Sequence, residues 1–254
     1  MRSASILIQL MSSLDPPRDR AIQEMFDRIA GRYDFLNRVI SFRLDNTWRS
    51  KAIKEVLRSA NHLILDLGAG TGDLTFTAAK KINGSGRIVG LDFSLEMLKL
   101  ARSKQSGAIN GDKTFFIQGS ATISPFKDCA FDGVMTAFVL RNVSDLSLFF
   151  GQAFRVLKPG GRFVSLDMFP PLKTWFSAFY ALYFYRVVPW IGRLLAHDRV
   201  AYRYLAESVE NFHPPERVGE FLEQAGFKEV SIRRFLDGAV CMHVAEKPHA
   251  APRP

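Results

Sequence analysis

Short apolar runs of strand length alternate along this chain with segments whose apolar positions recur every three or four residues, the pattern of alternating strands and helices. Before the first run, Arg18 to Arg58 has helical spacing: Ile22, Met25, Phe26 and Ile29, then Leu36, Val39 and Ile40, then Trp48, Ala52, Ile53 and Val56. Two or three helices are expected there. Leu63 to Leu67 reads as the first strand with a helix starting at Asp73, and Arg87 to Asp92 reads as the second. Ser94 can cap a helix running through Arg102, Thr114 to Gln118 makes a third strand, and Phe131 to Phe138 a fourth. Ser144 is expected to cap the next helix, which stops at Leu157-Lys158-Pro159-Gly160-Gly161 before a fifth strand from Arg162 to Asp167. Pro170-Pro171 opens an insertion. Pro214 to Ala225 reads as a closing helix with Gly226 after it, and Glu229 to Phe235 with Ala239 to Glu246 as a terminal hairpin. No repeat, low-complexity tract or interdomain linker interrupts this order.

The most informative punctuation follows the first strand, where Asp66-Leu67-Gly68-Ala69-Gly70-Thr71-Gly72 places glycines at alternate positions. Glycine turns the backbone at positive φ and leaves no Cβ between main chain and ligand, so a nucleoside can lie against such a loop. The spacing fits neither G-x-G-x-x-G nor G-x-x-x-x-G-K-[ST], the two phosphate-binding patterns. Asp92 ends the second strand about 20 residues further on, where a carboxylate can take both hydroxyls of a ribose. On these residues the chain resembles the class I S-adenosylmethionine-dependent methyltransferases.

Further segments narrow the resemblance. Phe26 to Phe42 (F-D-R-I-A-G-R-Y-D-F-L-N-R-V-I-S-F) with Trp48-Arg49, Ala137 to Val143 (A-F-V-L-R-N-V), Phe154 to Gly161 and Ala201 to Ser208 are similar to segments of the ubiquinone/menaquinone biosynthesis C-methyltransferases, in the same order. The resemblance covers roughly residues 20 to 247. It implies an α/β, Rossmann-like class I methyltransferase fold: a seven-stranded, mostly parallel sheet with a reversed last strand, an N-terminal helical cap and a helical insertion after strand five. The expected organisation is a flexible tail (1–17), one methyltransferase domain (18–247) with the cap at 18–60 and a substrate-binding insertion at 170–213, and a C-terminal tail (248–254). The implied reaction moves a methyl group from S-adenosylmethionine to a ring carbon of a polyprenylated quinol, either demethylmenaquinol or a precursor of ubiquinone or phylloquinone.

Composition adds bounds. With 254 residues, 47% of them hydrophobic, the chain can bury a sizeable core. A net charge of +9 suggests an anionic neighbour, a membrane surface or a nucleic acid. Cys129 and Cys241 lack metal-ligand spacing and read as reduced core fillers in a reducing compartment, so no metal is expected. Met1 to Ser13 faintly resembles an organelle presequence, and an ordinary frayed terminus accounts for it better. The expected location is cytoplasmic with peripheral membrane contact, or organellar in a eukaryote.

For the cofactor, the expected residues are Asp66, Gly68, Gly70, Thr71 and Gly72 of the loop, then Asp92. Ser120 and Ala121 join them in the turn after strand three, where the family usually offers Asp or Asn to the adenine. Ala137 is a second departure, standing where relatives often have serine. The expected catalytic pair is Arg141 and Asn142, at the carboxyl end of strand four, where open α/β sheets hold ligands. A guanidinium stays protonated, so Arg141 is assigned the developing phenolate and Asn142 the orientation of a water or quinol oxygen. An ordinary salt bridge is the alternative for Arg141. The base is left open among Asp198, Tyr204 and His243, each of which also has a structural explanation as helix cap, packed ring or strand histidine. Trp175 to Leu195 carries an aromatic stripe suited to a prenyl tail, or equally to core or a homodimer interface; Arg186 and Pro189 keep it short of the ~18 apolar residues of a membrane span. A nucleic-acid methyltransferase is disfavoured, because the place of its Asp/Asn/Ser-Pro-Pro-aromatic motif holds Phe138 to Asn142 and neither cysteine has the context of a pyrimidine-methylating nucleophile. Nucleic acid is therefore not an expected partner. A catalytically silent cofactor-binding subunit of a quinone-biosynthesis assembly is the remaining alternative.

Overall fold

Parallel strands covered by helices on both faces are apolar at nearly every position, and the runs read from the sequence form one such sheet. The computed structural model describes residues 17–41, 43–57, 62–82, 84–170 and 199–249. Two helices come first, α1 (Pro17–Ile40) and α2 (Leu44–Val56). Alternation then begins with β1 (Leu63–Leu67), α3 (Asp73–Ala79), β2 (Arg87–Asp92), α4 (Leu95–Gln105) and β3 (Thr114–Gln118). It continues with β4 (Phe131–Ala137), α5 (Leu146–Val156), β5 (Leu157–Met168), α6 (Arg199–Glu210), α7 (Pro215–Gln224), β6 (Lys228–Phe235) and β7 (Val240–Glu246).

The seven strands lie in the order β3-β2-β1-β4-β5-β7-β6, and β7 runs antiparallel to both its neighbours. This is the mostly parallel sheet with a reversed last strand that the resemblance implies. Side chains alternate between two cores. Leu65 and Leu67 of β1 pack with Phe149 and Phe150 of α5, while Ile64, one residue before Leu65, points to Trp48, Ile53 and Val56 of α2. The chain leaves β1 toward β2 on one side and β4 lies on the other, so the carboxyl ends of β1 and β4 flank a crevice at the switch point of the topology.

Some boundaries move. The cap of α5 is Asp145, whose carboxylate accepts from the Leu148 amide at 2.8 Å, and not Ser144, whose hydroxyl donates to Asp19 of α1 at 2.9 Å. The stop at Pro159-Gly160-Gly161 does end α5, but β5 starts at once: Leu157 pairs with Phe131, an irregularity follows, and the regular ladder resumes at Arg162 opposite Gly133. Cys241 is a buried core residue as expected; Cys129 is exposed at a turn with φ of 51° and is not a core filler. The aromatic stretch Trp175 to Leu195, Asp198 and the first sixteen residues lie outside the described residues. Among the described residues, no helix is long and apolar enough to cross a membrane.

Candidate functional site

The cleft at the switch point is built first by the glycine loop. Gly68 has φ of 75°, and a Cβ there would stand 2.4 Å from a methyl group of Val139, in the segment after β4. Only glycine lets the loop and that segment close together. Gly70, at φ of 55°, donates its N–H to Asp92 Oδ2 at 2.7 Å, and the other Asp92 oxygen accepts from the Ser94 amide at 2.8 Å. Asp92 therefore braces the loop against the start of α4. Burial pushes its carboxyl up to about 6 against the pull of those amide bonds, with Asp27 adding to the rise. Gly72, at φ of 85°, caps α3 and does not reach the cleft wall.

Asp66 lies at the floor. Its Oδ2 accepts from the Thr75 hydroxyl at 2.6 Å, while Oδ1 is buried with no hydrogen-bond partner. Burial pushes this carboxyl up to about 7, although the Thr75 bond and Arg49 act the other way. An orphaned carboxylate oxygen in a cleft is costly unless a donor arrives, and an ammonium group is the ligand chemistry that suits it. Thr71, Ser120 and Ala121 also line the cleft. The Thr71 hydroxyl is spent on Asp34 at 2.5 Å and is not a free donor to a ligand, while the Ser120 and Thr122 hydroxyls share a hydrogen bond of 2.8 Å in which either can donate.

Helix α1 closes over this floor. Gln23 donates to the Phe93 carbonyl at 2.9 Å, Asp27 accepts from Ser94 Oγ at 2.5 Å, and Asp34 accepts from Thr71 and pairs with Lys104. Each latch reaches a segment that also lines the cleft or braces it. Phe26, Tyr33 and Arg49 of the two N-terminal helices form the upper wall, with the Phe26 and Tyr33 rings 5.9 Å apart. The sequence marks this region as a cap without singling out these side chains; Phe26 and Tyr33, seven residues apart on one helix face, are the available signal.

The expected catalytic pair divides. Asn142 lines the cleft, whereas Arg141 faces a neighbouring cavity of about 450 Å³ between the turn Leu140–Asn142, α5 and α6. Arg141 is buried and its guanidinium donates to Asp167 at 2.6 Å, with Nε left unpartnered. Burial works against this charge, but Asp167 and the phenols of Tyr33 and Tyr204 outweigh it and hold the guanidinium protonated. Asp167 also accepts from the Leu140 and Met168 amides at 2.7 and 2.8 Å, so the salt bridge orders the turn that carries Asn142. Of the residues weighed as base, His243 is remote from the cleft. Its Nε2 donates to the Pro215 carbonyl at 2.9 Å, and burial holds its ring down to about 4. Tyr204 donates its hydroxyl to Asn142 Oδ1 at 3.1 Å. Among the described residues, no cluster of three or more His, Cys, Asp or Glu could hold a metal ion.

Solved structures with this architecture include a Thermotoga maritima S-adenosylmethionine-dependent methyltransferase described as a possible histamine N-methyltransferase. It is 19% identical, with a TM-score of 0.63 over 88% of this chain and 98% of that one. That likeness speaks to the fold alone. At the level of sequence, a demethylmenaquinone methyltransferase of Thermus thermophilus is 42% identical over 224 residues, covering 88% of this chain and 100% of the relative. A ubiquinone/menaquinone biosynthesis C-methyltransferase of Geotalea daltonii is 38% identical over 226 residues, covering 89% of this chain and 96% of the relative. The model of the ubiE/COQ5 methyltransferase family matches residues 15–247, nearly every residue that builds the sheet, the cleft and the cap, and the chain belongs to that family.

Proposed function

We propose that this protein methylates a ring carbon of a polyprenylated quinol at the expense of S-adenosylmethionine, with demethylmenaquinol as the acceptor. The observation that carries the reading is full-length similarity to relatives named for that reaction, joined to a cleft whose floor holds an unpaired carboxylate oxygen. Asp66 takes the cofactor's ammonium, Gly68 and Gly70 give it backbone to lie against, and Asp92 accepts from its ribose. Thr71 and Gly72 shape the loop, and Ser120 and Ala121 flank the adenine. Bound there, S-adenosylmethionine supplies an electrophilic methyl group to a nucleophile aligned with its C–S bond.

The chain's own residues have a modest chemical task. The quinol hydroxyl would lose its proton to water, the ring carbon beside it would be the nucleophile for the methyl group that bound S-adenosylmethionine would supply, and the ring proton displaced there would likewise pass to water. Asn142 faces this event and can donate to the oxygen that carries the developing charge. Arg141, held off the cleft by Asp167, stabilises that charge as a nearby fixed cation and not through its fork.

A basic chain acting on a lipid-tailed acceptor would meet it at a membrane surface, so peripheral contact with anionic lipid is part of the proposal. Incubation with labelled cofactor and, separately, reduced demethylmenaquinone, a reduced ubiquinone precursor or RNA tests the reading. Transfer to the first acceptor is expected. Transfer to RNA alone, or to none of the three, would overturn it. Sedimentation with vesicles containing anionic lipid, absent with neutral vesicles, is the expected membrane result.

A further inference from the structure

Asn142 is the one member of the expected catalytic pair that faces the cofactor cleft, and both ends of its amide are held. Nδ2 lies 3.3 Å from the Phe138 carbonyl and Oδ1 lies 3.1 Å from the Tyr204 hydroxyl. A carbonyl can only accept, so the nitrogen must be the atom facing Phe138, and the phenol must then donate to Oδ1. The orientation of the amide follows from its partners. Nδ2 has a second hydrogen, and with the first committed to Phe138 this one is available to a ligand in the cleft.

The Phe138 end of this clamp is itself fixed. Phe138 adopts φ of 63°, an uncommon left-handed backbone for an aromatic residue, and its N–H donates to the Leu166 carbonyl at 2.7 Å. The Tyr204 end comes from α6, which packs against the turn Leu140–Asn142 from outside the sheet. Tyr204 also lines the cavity that Arg141 faces, and its phenol interacts electrostatically with the buried guanidinium as well as bonding the amide. A donor polarised by a nearby cation gives a stronger bond and strengthens the next one in the chain.

We infer that Tyr204 is a positioning residue for methyl transfer: its hydroxyl fixes the Asn142 amide so that the free Nδ2 hydrogen is presented to the acceptor oxygen. The inference rests on the quinol reading for its kinetic consequence but not for its geometry. Without the hydroxyl, the amide is held only at its nitrogen end and can rotate its donor away as charge develops. The effect belongs in turnover and not in cofactor binding, since Tyr204 does not line the cofactor cleft.

The test uses full-length Tyr204→Phe, Asn142→Ala and the double variant. Tyr204→Phe should lower kcat on reduced demethylmenaquinone about tenfold, the loss of one hydrogen bond in the transition state, with S-adenosylmethionine affinity and Tm unchanged. In the Asn142→Ala background, removing the hydroxyl should cost nothing more. Wild-type turnover in Tyr204→Phe, or losses that multiply in the double variant, would overturn the inference. A second readout needs no acceptor: the Asn142 side-chain amide signal in nitrogen-15 spectra, assigned by its disappearance in Asn142→Ala. It should shift and broaden in Tyr204→Phe with S-adenosylmethionine bound. An unmoved signal would remove the clamp whatever the kinetics, whereas a moved signal in a protein whose wild type methylates no quinol would keep the clamp and reject the quinol reading.

Discussion

With Asp66 proposed as the partner of the cofactor's ammonium, its carboxyl should make cofactor affinity depend on pH in a calculable way. It is buried, half satisfied by Thr75, and pushed up to about 7, so near neutrality the ligand-free protein holds a proton there part of the time. A cationic ligand group needs the ionised form, so binding expels that proton. From about pH 6 to about pH 7.5 the ionised fraction of a group with that value rises about eightfold, and with about twofold more from Asp92 the dissociation constant for S-adenosylmethionine should fall about sixteenfold. Asp66→Asn keeps the shape and the acceptor for Thr75 but removes the charge. At the upper pH it should bind roughly 10- to 150-fold more weakly, the loss of a charge-assisted hydrogen bond worth ~1.5–3 kcal/mol. Its residual pH dependence should be about twofold, the share left to Asp92. Titration calorimetry in buffers of different ionisation enthalpy reads both the affinity and the released proton. A wild-type dissociation constant flat across this range, or an Asn variant with the same slope, would refute the assignment of Asp66 to the ammonium.

Three other outcomes follow from the same geometry. Because the carboxyls of Asp66 and Asp92 sit above the unfolded value of 3.8, the folded chain binds protons more readily than the unfolded one; this local contribution should lower the Tm of ligand-free protein as pH rises from about 4 toward 7, and the Tm difference between wild type and Asp66→Asn read across that range isolates it. Gly68→Ala meets Val139 at a positive φ and should lose ~1–3 kcal/mol of stability together with cofactor binding, read by thermal unfolding with and without ligand. Asp34→Ala frees both Thr71 and Lys104 from α1, and hydrogen exchange across Pro17–Ile40 should quicken in the cofactor complex while the sheet is unaffected.

The sheet and the glycine loop were legible because their causes are local. A strand buried on both faces is apolar at nearly every position, as Leu63 to Leu67 is apart from Asp66, and a loop that crowds Val139 must use glycine at position 68. Ser94 is a cap in sequence and in structure, accepting from the Met97 amide at 3.1 Å. What sequence could not show was decided by partners far along the chain. Ser144 and Asp145 are equally good caps; the structure gives the cap to Asp145 because Ser144 is taken by Asp19, 125 residues earlier. Arg141 stands at the right edge of the sheet, but Asp167 at the end of the next strand turns it away from the cleft. The Thr71 hydroxyl is claimed by Asp34 of the cap, a pairing that no local pattern contains.

Carbon methylation of a reduced quinone ring can be followed by the fate of an isotopically labelled methyl group. S-adenosylmethionine carrying a carbon-13 methyl group is incubated with the protein and demethylmenaquinone, once with a reductant that yields the quinol and once without, and the product is analysed by NMR. A single enriched methyl bonded to a ring carbon is expected, formed only in the reduced sample and much reduced with Asp66→Asn at low cofactor concentration. Enrichment on a quinol oxygen, equal transfer to the oxidised ring, or no transfer under reducing conditions would contradict it.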